Sequence, residues 1–210
     1  MKDFPVFTTA WGVSSLTLRQ IPYRGDAYIK VQTVQPEGLE AHVRECADFC
    51  RMAGASRIYV SAQGLEPQVR VLELRGVSNP DIDLVEHIFP VTEETVGAWR
   101  RIANERMAGV ELAAALDRKA EAEILASGGA YFIHRAGELL GIGWIHEETL
   151  RLLAGVVPGM GERVAHTLLS VQPGLSLRIE VASSNEKALR LYEKLGFLPV
   201  RSLEDWAVWD

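Results

Sequence analysis

Basic clusters, cysteines and long apolar runs are all scarce in this sequence, and each scarcity removes a class of function. Lysine and arginine number 22 against 28 aspartates and glutamates, for a formal charge of −6, and no basic run concentrates the positive charge. Nucleic-acid binding depends on such a concentration, so that partner is not expected. No apolar stretch approaches the ~20 residues of a membrane-spanning helix. The opening MKDFPVFTTAWG carries Asp3 and Pro5 where a signal peptide has its apolar region. The expectation is a cytoplasmic protein without a membrane partner.

The cysteines are two, Cys46 and Cys50, one helical turn apart, with His42 a turn earlier. On one straight helix these three side chains spread over about 12 Å, too far to share an ion, and no second Cys/His cluster completes a tetrahedral set. No metal is expected. Leu39, Val43, Cys46, Phe49, Cys50 and Ala53 instead outline an apolar helix face that fits core packing.

What is present is a hydrophobic fraction of 48%, enough for a packed core. The polar, proline-bearing segment 77–83 reads as a linker between units 1–76 and 84–210. Beyond it, 92–107 and 117–127 read as helices. Residues 131–135 and 139–145 read as strands around an Ala136-Gly137 turn. Residues 150–157 form a short buried strand, broken by Pro158-Gly-Met-Gly161. A helix over 161–172 follows, stopped by Pro173-Gly174. Then come a strand at 177–182, a helix, and strands at 197–203 and 206–209. A hairpin followed by strand–helix–strand units predicts a mixed α/β sheet.

The first 76 residues hold an echo. Val34-Gln-Pro36, a helix and Arg57-Ile-Tyr-Val60 parallel Val156-Val-Pro158, a helix and Arg178-Ile-Glu-Val181. Internal duplication and chance recurrence of a common unit both remain open. The first copy lacks a counterpart to the helix that follows Ala182.

That helix has the pattern Asn185-x-x-Ala188-x-x-Leu191-Tyr192-x-x-Leu195-Gly196-Phe197. Ser183 and Glu186 form a capping-box spacing, with Asn185 as the alternative cap. Ala188, Leu191 and Leu195 make the buried stripe, and Gly196 supplies a left-handed residue after the helix. The stretch Ile179–Phe197, and more loosely Glu86–Asp210, resembles the GNAT superfamily of N-acetyltransferases. Its Glu180-Val-x-x-Ser-Asn185 approach is most similar to the branch that acetylates the N-terminal amine of ribosomal proteins.

The resemblance implies a GNAT-type mixed sheet, with the first unit a smaller α/β unit or a degenerate GNAT-like half. It also implies acetyl-CoA as co-substrate and an amine acceptor, either a small molecule or a peptide N-terminus, in a monomer or homodimer. Tyr192 would protonate the departing thiolate and Asn185 would hydrogen-bond near the cofactor. Glu180 is the base candidate, since an amine must lose a proton before attack. Glu147 and Glu148 are substitutes, because the acidic residue that many relatives carry within the next strand is absent from Leu150-Arg-Leu-Leu153. Backbone N–H groups near Val156 or Val157 would meet the oxyanion.

The pyrophosphate would lie at the helix start formed by Gly161, Glu162, Arg163, Val164 and Ala165, where free N–H groups favour anions. The family pattern there is R/Q-x-x-G-x-G/A. This chain has Met160 in the basic or amide slot and Arg163 in the central glycine slot. Arg163 would either crowd the ligand or bring charge to it. A catalytically impaired acyl-CoA-binding or regulatory module is the alternative to an enzyme.

Overall fold

The computed structural model describes residues 5–79 and 85–209 and divides into two compact units. The first takes residues 1–70 and 203–210, the second residues 71–202.

In the first unit, β1 (Val6–Thr8), β2 (Gly12–Thr17) and β3 (Asp26–Val34) form an antiparallel meander, with the one-turn helix α1 (Ile21–Arg24) between the last two. Helix α2 (Leu39–Met52) then crosses to β4 (Arg57–Ser61), which pairs parallel to β3 from Asp26↔Arg57 to Lys30↔Ser61. The apolar stripe of α2 explains this crossover. Val43, Cys46 and Cys50 are fully buried against Leu16, Ile29, Ile58 and Val60, as their spacing predicts, whereas Ala53 is exposed. His42 lies in the same interior, its Nε2 2.7 Å from the Ser14 hydroxyl and its Nδ1 2.7 Å from that of Thr9.

The second unit contains β5 (Val69–Val77), β6 (His87–Pro90), α3 (Val96–Met107), α4 (Arg118–Ser127), β7 (Ala130–Arg135), β8 (Glu138–His146), β9 (Thr149–Gly155), α5 (Gly161–Leu169), β10 (Ser176–Ala182), α6 (Glu186–Lys194) and the start of β11 (Leu198–Val208). Strands β6 to β9 are an antiparallel meander, β9 and β10 are parallel across α5, and β5 pairs antiparallel to β10. The mixed α/β sheet expected from the element order is therefore present. The β7–β8 turn is the Ala136-Gly137 pair, both with positive φ (50° and 84°), the geometry of a two-residue hairpin.

Two assignments differ from the sequence expectation. The segments 197–203 and 206–209, read as two strands, form the single strand β11. Strand β5, which falls almost wholly within the unit expected over residues 1–76, pairs with β10 over seven residues from Val71↔Ala182 to Val77↔Ser176. The end of β11 in turn pairs with β4 at Ala207↔Val60 and Val208↔Tyr59. Sequence order alone cannot reveal such an exchange, because strand pairing is long-range. Of the anticipated linker 77–83, Val77 ends β5 and residues 80–83 lie outside the described residues.

Two cores cover opposite faces of the second unit's sheet. One packs Val164 and Leu168 of α5 and Tyr192 of α6 against Leu150, Leu177, Ile179, Val181 and Leu74. The other packs Val96, Trp99 and Ala103 of α3 and Ile124 of α4 against Ile142, Trp144, Leu152 and Ala154. The seat of α5 depends on missing side chains. A Cβ at Gly143 would fall 2.3 Å from Leu168, and one at Gly141 would fall 2.6 Å from the Ala154 carbonyl and 2.7 Å from Val164. Those two glycines let α5 lie close on β8.

Candidate active site

Strands β9 and β10 pair only at Arg178↔Thr149 and Ile179↔Leu150, with the Arg178 N–H donating to the Glu148 carbonyl at 2.8 Å. Beyond Ile179 the register has no partners, although β9 continues to Gly155 and β10 to Ala182. The two parallel strands thus separate at their carboxyl ends. A cause lies in the neighbouring pairing. Against β8 the register steps from Ile145↔Leu150 to Trp144↔Leu152, so Arg151 is an extra residue. Such a bulge bends a strand and increases its local twist. It also sends Leu150 into one core and Leu152 into the other.

Helix α5 begins beyond the end of β9. Its N-cap, Met160, makes no side-chain cap hydrogen bond, and the first backbone bond into the helix is Val164 N–H to the Met160 carbonyl at 2.9 Å. The positive end of the helix dipole therefore lacks a side-chain cap. A Cβ at Gly159 or Gly161 would meet nothing within 4 Å, so the space over this turn is open. Both charged residues of this first turn are paired. Arg163 donates to Glu86 through Nε at 2.6 Å and Nη2 at 3.1 Å, and Glu162 pairs with Lys194 at 2.6 Å. The Glu86 side chain is fully buried, with its carboxyl held below the ordinary range by Arg163, while the same contact raises Arg163. Arg163 is directed to Glu86, and the loop's open side is left to Gly159 and Gly161. Val164 and Ala165 are buried, and the Val164 N–H is already given to the Met160 carbonyl, so neither residue presents a surface to a ligand.

The N–H groups of Val156 and Val157 both converge on the Leu140 carbonyl, at 2.7 and 3.3 Å. The donors expected to meet an oxyanion are therefore engaged within the sheet.

On α6 the cap is Asn185, the alternative the spacing offered, whose side-chain oxygen accepts from Ala188 N–H at 3.2 Å. Gly196 has φ 84°, the left-handed conformation expected after the helix. Tyr192 is buried (8% exposed) with its ring edge-on to Phe197 at 6.4 Å. Burial pushes its phenol up to about 12, so it is protonated at neutral pH. Among the described residues no group hydrogen-bonds its hydroxyl.

Glu180 is the first residue of β10 past the paired segment, at the mouth of the opening. It alternates with Ile179 and Val181, which face the core containing Tyr192, so Glu180 lies on the opposite face. Its carboxylate is 44% exposed and pairs with Arg178 at 3.3 Å. Glu147 and Glu148 sit where β9 starts, at the paired end. The Glu148 carbonyl accepts from the Arg178 N–H there, two residues before Glu180. Glu180 therefore lies where the two strands part, Tyr192 lies in the core that Ile179 and Val181 face, and α5 starts beyond the end of β9. Glu86, Glu73, Lys194 and Arg201, each tied to this region through space, carry no local sequence signal. Among the described residues, no group of three His, Cys, Asp or Glu side chains is placed to hold a metal, and no helix is long and apolar enough to cross a membrane.

No family model and no curated protein matches the sequence. Solved structures do. A GCN5-related N-acetyltransferase from Sphaerobacter thermophilus superposes with a TM-score of 0.53 at 12% identity, over 93% of this chain and 75% of that one. A conserved protein from Enterococcus faecalis, described as a probable N-acyltransferase, gives 0.57 at 12% identity over 94% of this chain and 58% of that one. A functionally unknown conserved protein from Staphylococcus epidermidis gives 0.59 at 10% identity over 99% and 94%. The fold is that of the GNAT acetyltransferases.

Proposed function

We propose that the chain is an N-acetyltransferase that moves an acetyl group from acetyl-CoA to an amine by direct attack. The observation that carries this reading is the gap where β9 and β10 part, with an open, uncapped α5 N-terminus beyond the end of β9 and Glu180 at the mouth of the gap. Pyrophosphate would lie on the N–H groups of Gly161 and Glu162, and the thioester would reach into the gap. The acceptor ammonium gives its proton to Glu180. The amine nitrogen then bonds to the thioester carbon, and the tetrahedral intermediate breaks its C–S bond to expel the thiolate while its nitrogen loses a second proton to solvent. Tyr192 is protonated and hydrogen-bonded to nothing else, so it can give that thiolate its proton. Amide and free CoA are the products. The acceptor is an amine-bearing small molecule or a peptide N-terminus, the latter being the substrate of the ribosomal-protein branch that the Glu180–Asn185 stretch resembles.

A second reading has its own observation. Met160 replaces the family's basic or amide residue, and the nearby Arg163 is committed to Glu86. An acyl-CoA-binding module without turnover would have such a loop. Thiol release from acetyl-CoA, measured against a panel of peptides and small amines, separates the two. Release that depends on both acetyl-CoA and an amine is the expected result. Binding of acetyl-CoA without release by any amine would replace the enzyme with the module.

A further inference from the structure

The β5–β10 register sets Glu73 directly opposite Glu180 and Arg75 directly opposite Arg178. Directly opposed residues share a face with Cβ atoms about 5 Å apart, so these four side chains form one charged square on the face that carries Glu180. Arg201 of β11 joins it by donating to Glu73 through Nε at 3.2 Å and Nη2 at 2.9 Å.

Two like charges facing each other across a ladder repel, and the square resolves this unequally. Glu73 is buried, its side chain 1% exposed, between Arg75 at 2.6 Å and Arg201, which together hold its carboxyl below the ordinary range. Glu180 stays half exposed with Arg178 as its one ion-pair partner among the described residues. Arg75, Arg178 and Arg201 thus face two carboxylates, an excess positive charge on a chain of net −6. The arginines are also under-used. Among the described residues the Arg75 guanidinium donates only through Nε, and that of Arg178 makes only the Glu180 contact. Arg75 is anchored by a buried carboxylate while both of its Nη groups stay available, a fork suited to bidentate capture of a carboxylate.

We propose that this square recognises the acceptor, and that the acceptor is an α-amino acid or a molecule with that headgroup; the inference rests on the acetyltransferase reading. The zwitterion enters the Arg178–Glu180 pair. Its ammonium goes to Glu180, the base, and its carboxylate goes to Arg178 and Arg75. One ion pair is exchanged for two of the same polarity, so no charge is left without a partner. A polyamine would instead bring a second cation onto three arginines.

The test follows arginine Nε–Hε signals in the full-length labelled protein, without acetyl-CoA. L-alanine, L-lysine and L-phenylalanine are each titrated beside the decarboxylated counterpart: ethylamine, cadaverine and phenethylamine. Saturable shifts at Arg75 and Arg178 with at least one amino acid, at least tenfold tighter than its amine, are expected. Arg75→Gln should erase that preference and Arg75→Lys restore it only in part. Equal response to both members of every pair, or no saturable shift with any amino acid, overturns the proposal. Failure of acetyl-CoA to bind would overturn the acetyltransferase reading and leaves this titration's outcome separately readable.

Discussion

Under the proposed function Tyr192 both packs and donates a proton, and one substitution separates the two. Replacing it by phenylalanine keeps the ring against Phe197 and removes only the hydroxyl. The fold should survive while turnover drops by about 10²–10⁴-fold, the scale of one general acid, with acetyl-CoA affinity little changed. Undiminished turnover on a confirmed substrate would make Tyr192 a packing residue. A pH dependence follows from the same side chain. Its folded value of about 12 lies above the unfolded value near 10, so the unfolded chain ionises first. The stabilising difference is fully present below pH ~10 and is lost as pH rises toward 12, and the phenylalanine variant should lose less stability over that interval in alkaline melts. Residue-scale reading went furthest where the signal was local. The Asn185 cap and the left-handed Gly196 bracket one short helix whose spacing is visible in the sequence. The role of Arg163 was not visible there, because its partner Glu86 is distant in sequence and meets it only after folding.

The α5 element shows how packing places chemistry. Gly141 lies under α5 and beside β9, so an added Cβ must displace the Ala154 carbonyl or Val164. Gly141→Ala should destabilise by about 1–3 kcal/mol, the usual cost of overpacking, and should weaken acetyl-CoA binding, because both walls of the gap move. Calorimetry that finds stability and affinity unchanged would contradict this seat for the helix. The Arg163–Glu86 pair is a second fastening of α5. Removing one partner leaves the other charge buried or unmatched, so Arg163→Gln should lower the melting temperature more than the Arg163→Gln/Glu86→Gln double variant. The depressed Glu86 carboxyl stabilises the fold above the unfolded value near 4.3, and that contribution is lost as pH falls through the folded value. Glu86→Gln should therefore flatten the acid side of the stability profile. Elements with strong periodicity, such as α4 and β10, were legible within a residue or two. The short edge strand β6, with Pro90 at its end, and the meander strands β1 and β2 were not, because short strands leave little pattern to read.

At the scale of the molecule, the informative fact is that each unit is completed by a strand from elsewhere in the chain. Strand β5 pairs with β10, and the end of β11 pairs with β4. A fragment of residues 84–210 lacks β5, which exposes the edge of β10 and removes Glu73 and Arg75 from the charged square. It should aggregate or fail to fold, whereas the full chain should give a cooperative melt. A soluble, fully folded 84–210 fragment would contradict the exchanged pairing. The α/β class was legible from the order of elements, but the exchange was not, since hydrophobic pattern fixes what a strand buries and leaves its neighbour open.

The central claim is that the gap between β9 and β10, with the α5 N-terminus, binds acetyl-CoA despite Met160 and Arg163. Thermal melting of the full chain with and without acetyl-CoA tests it most directly. At 100 times the dissociation constant, linkage supplies about 2.7 kcal/mol, which for a chain of this length raises the midpoint by roughly 5–10 °C. A rise of that size, lost when α5 is displaced by Gly141→Ala, is the predicted result. An unchanged midpoint at millimolar acetyl-CoA would contradict the account.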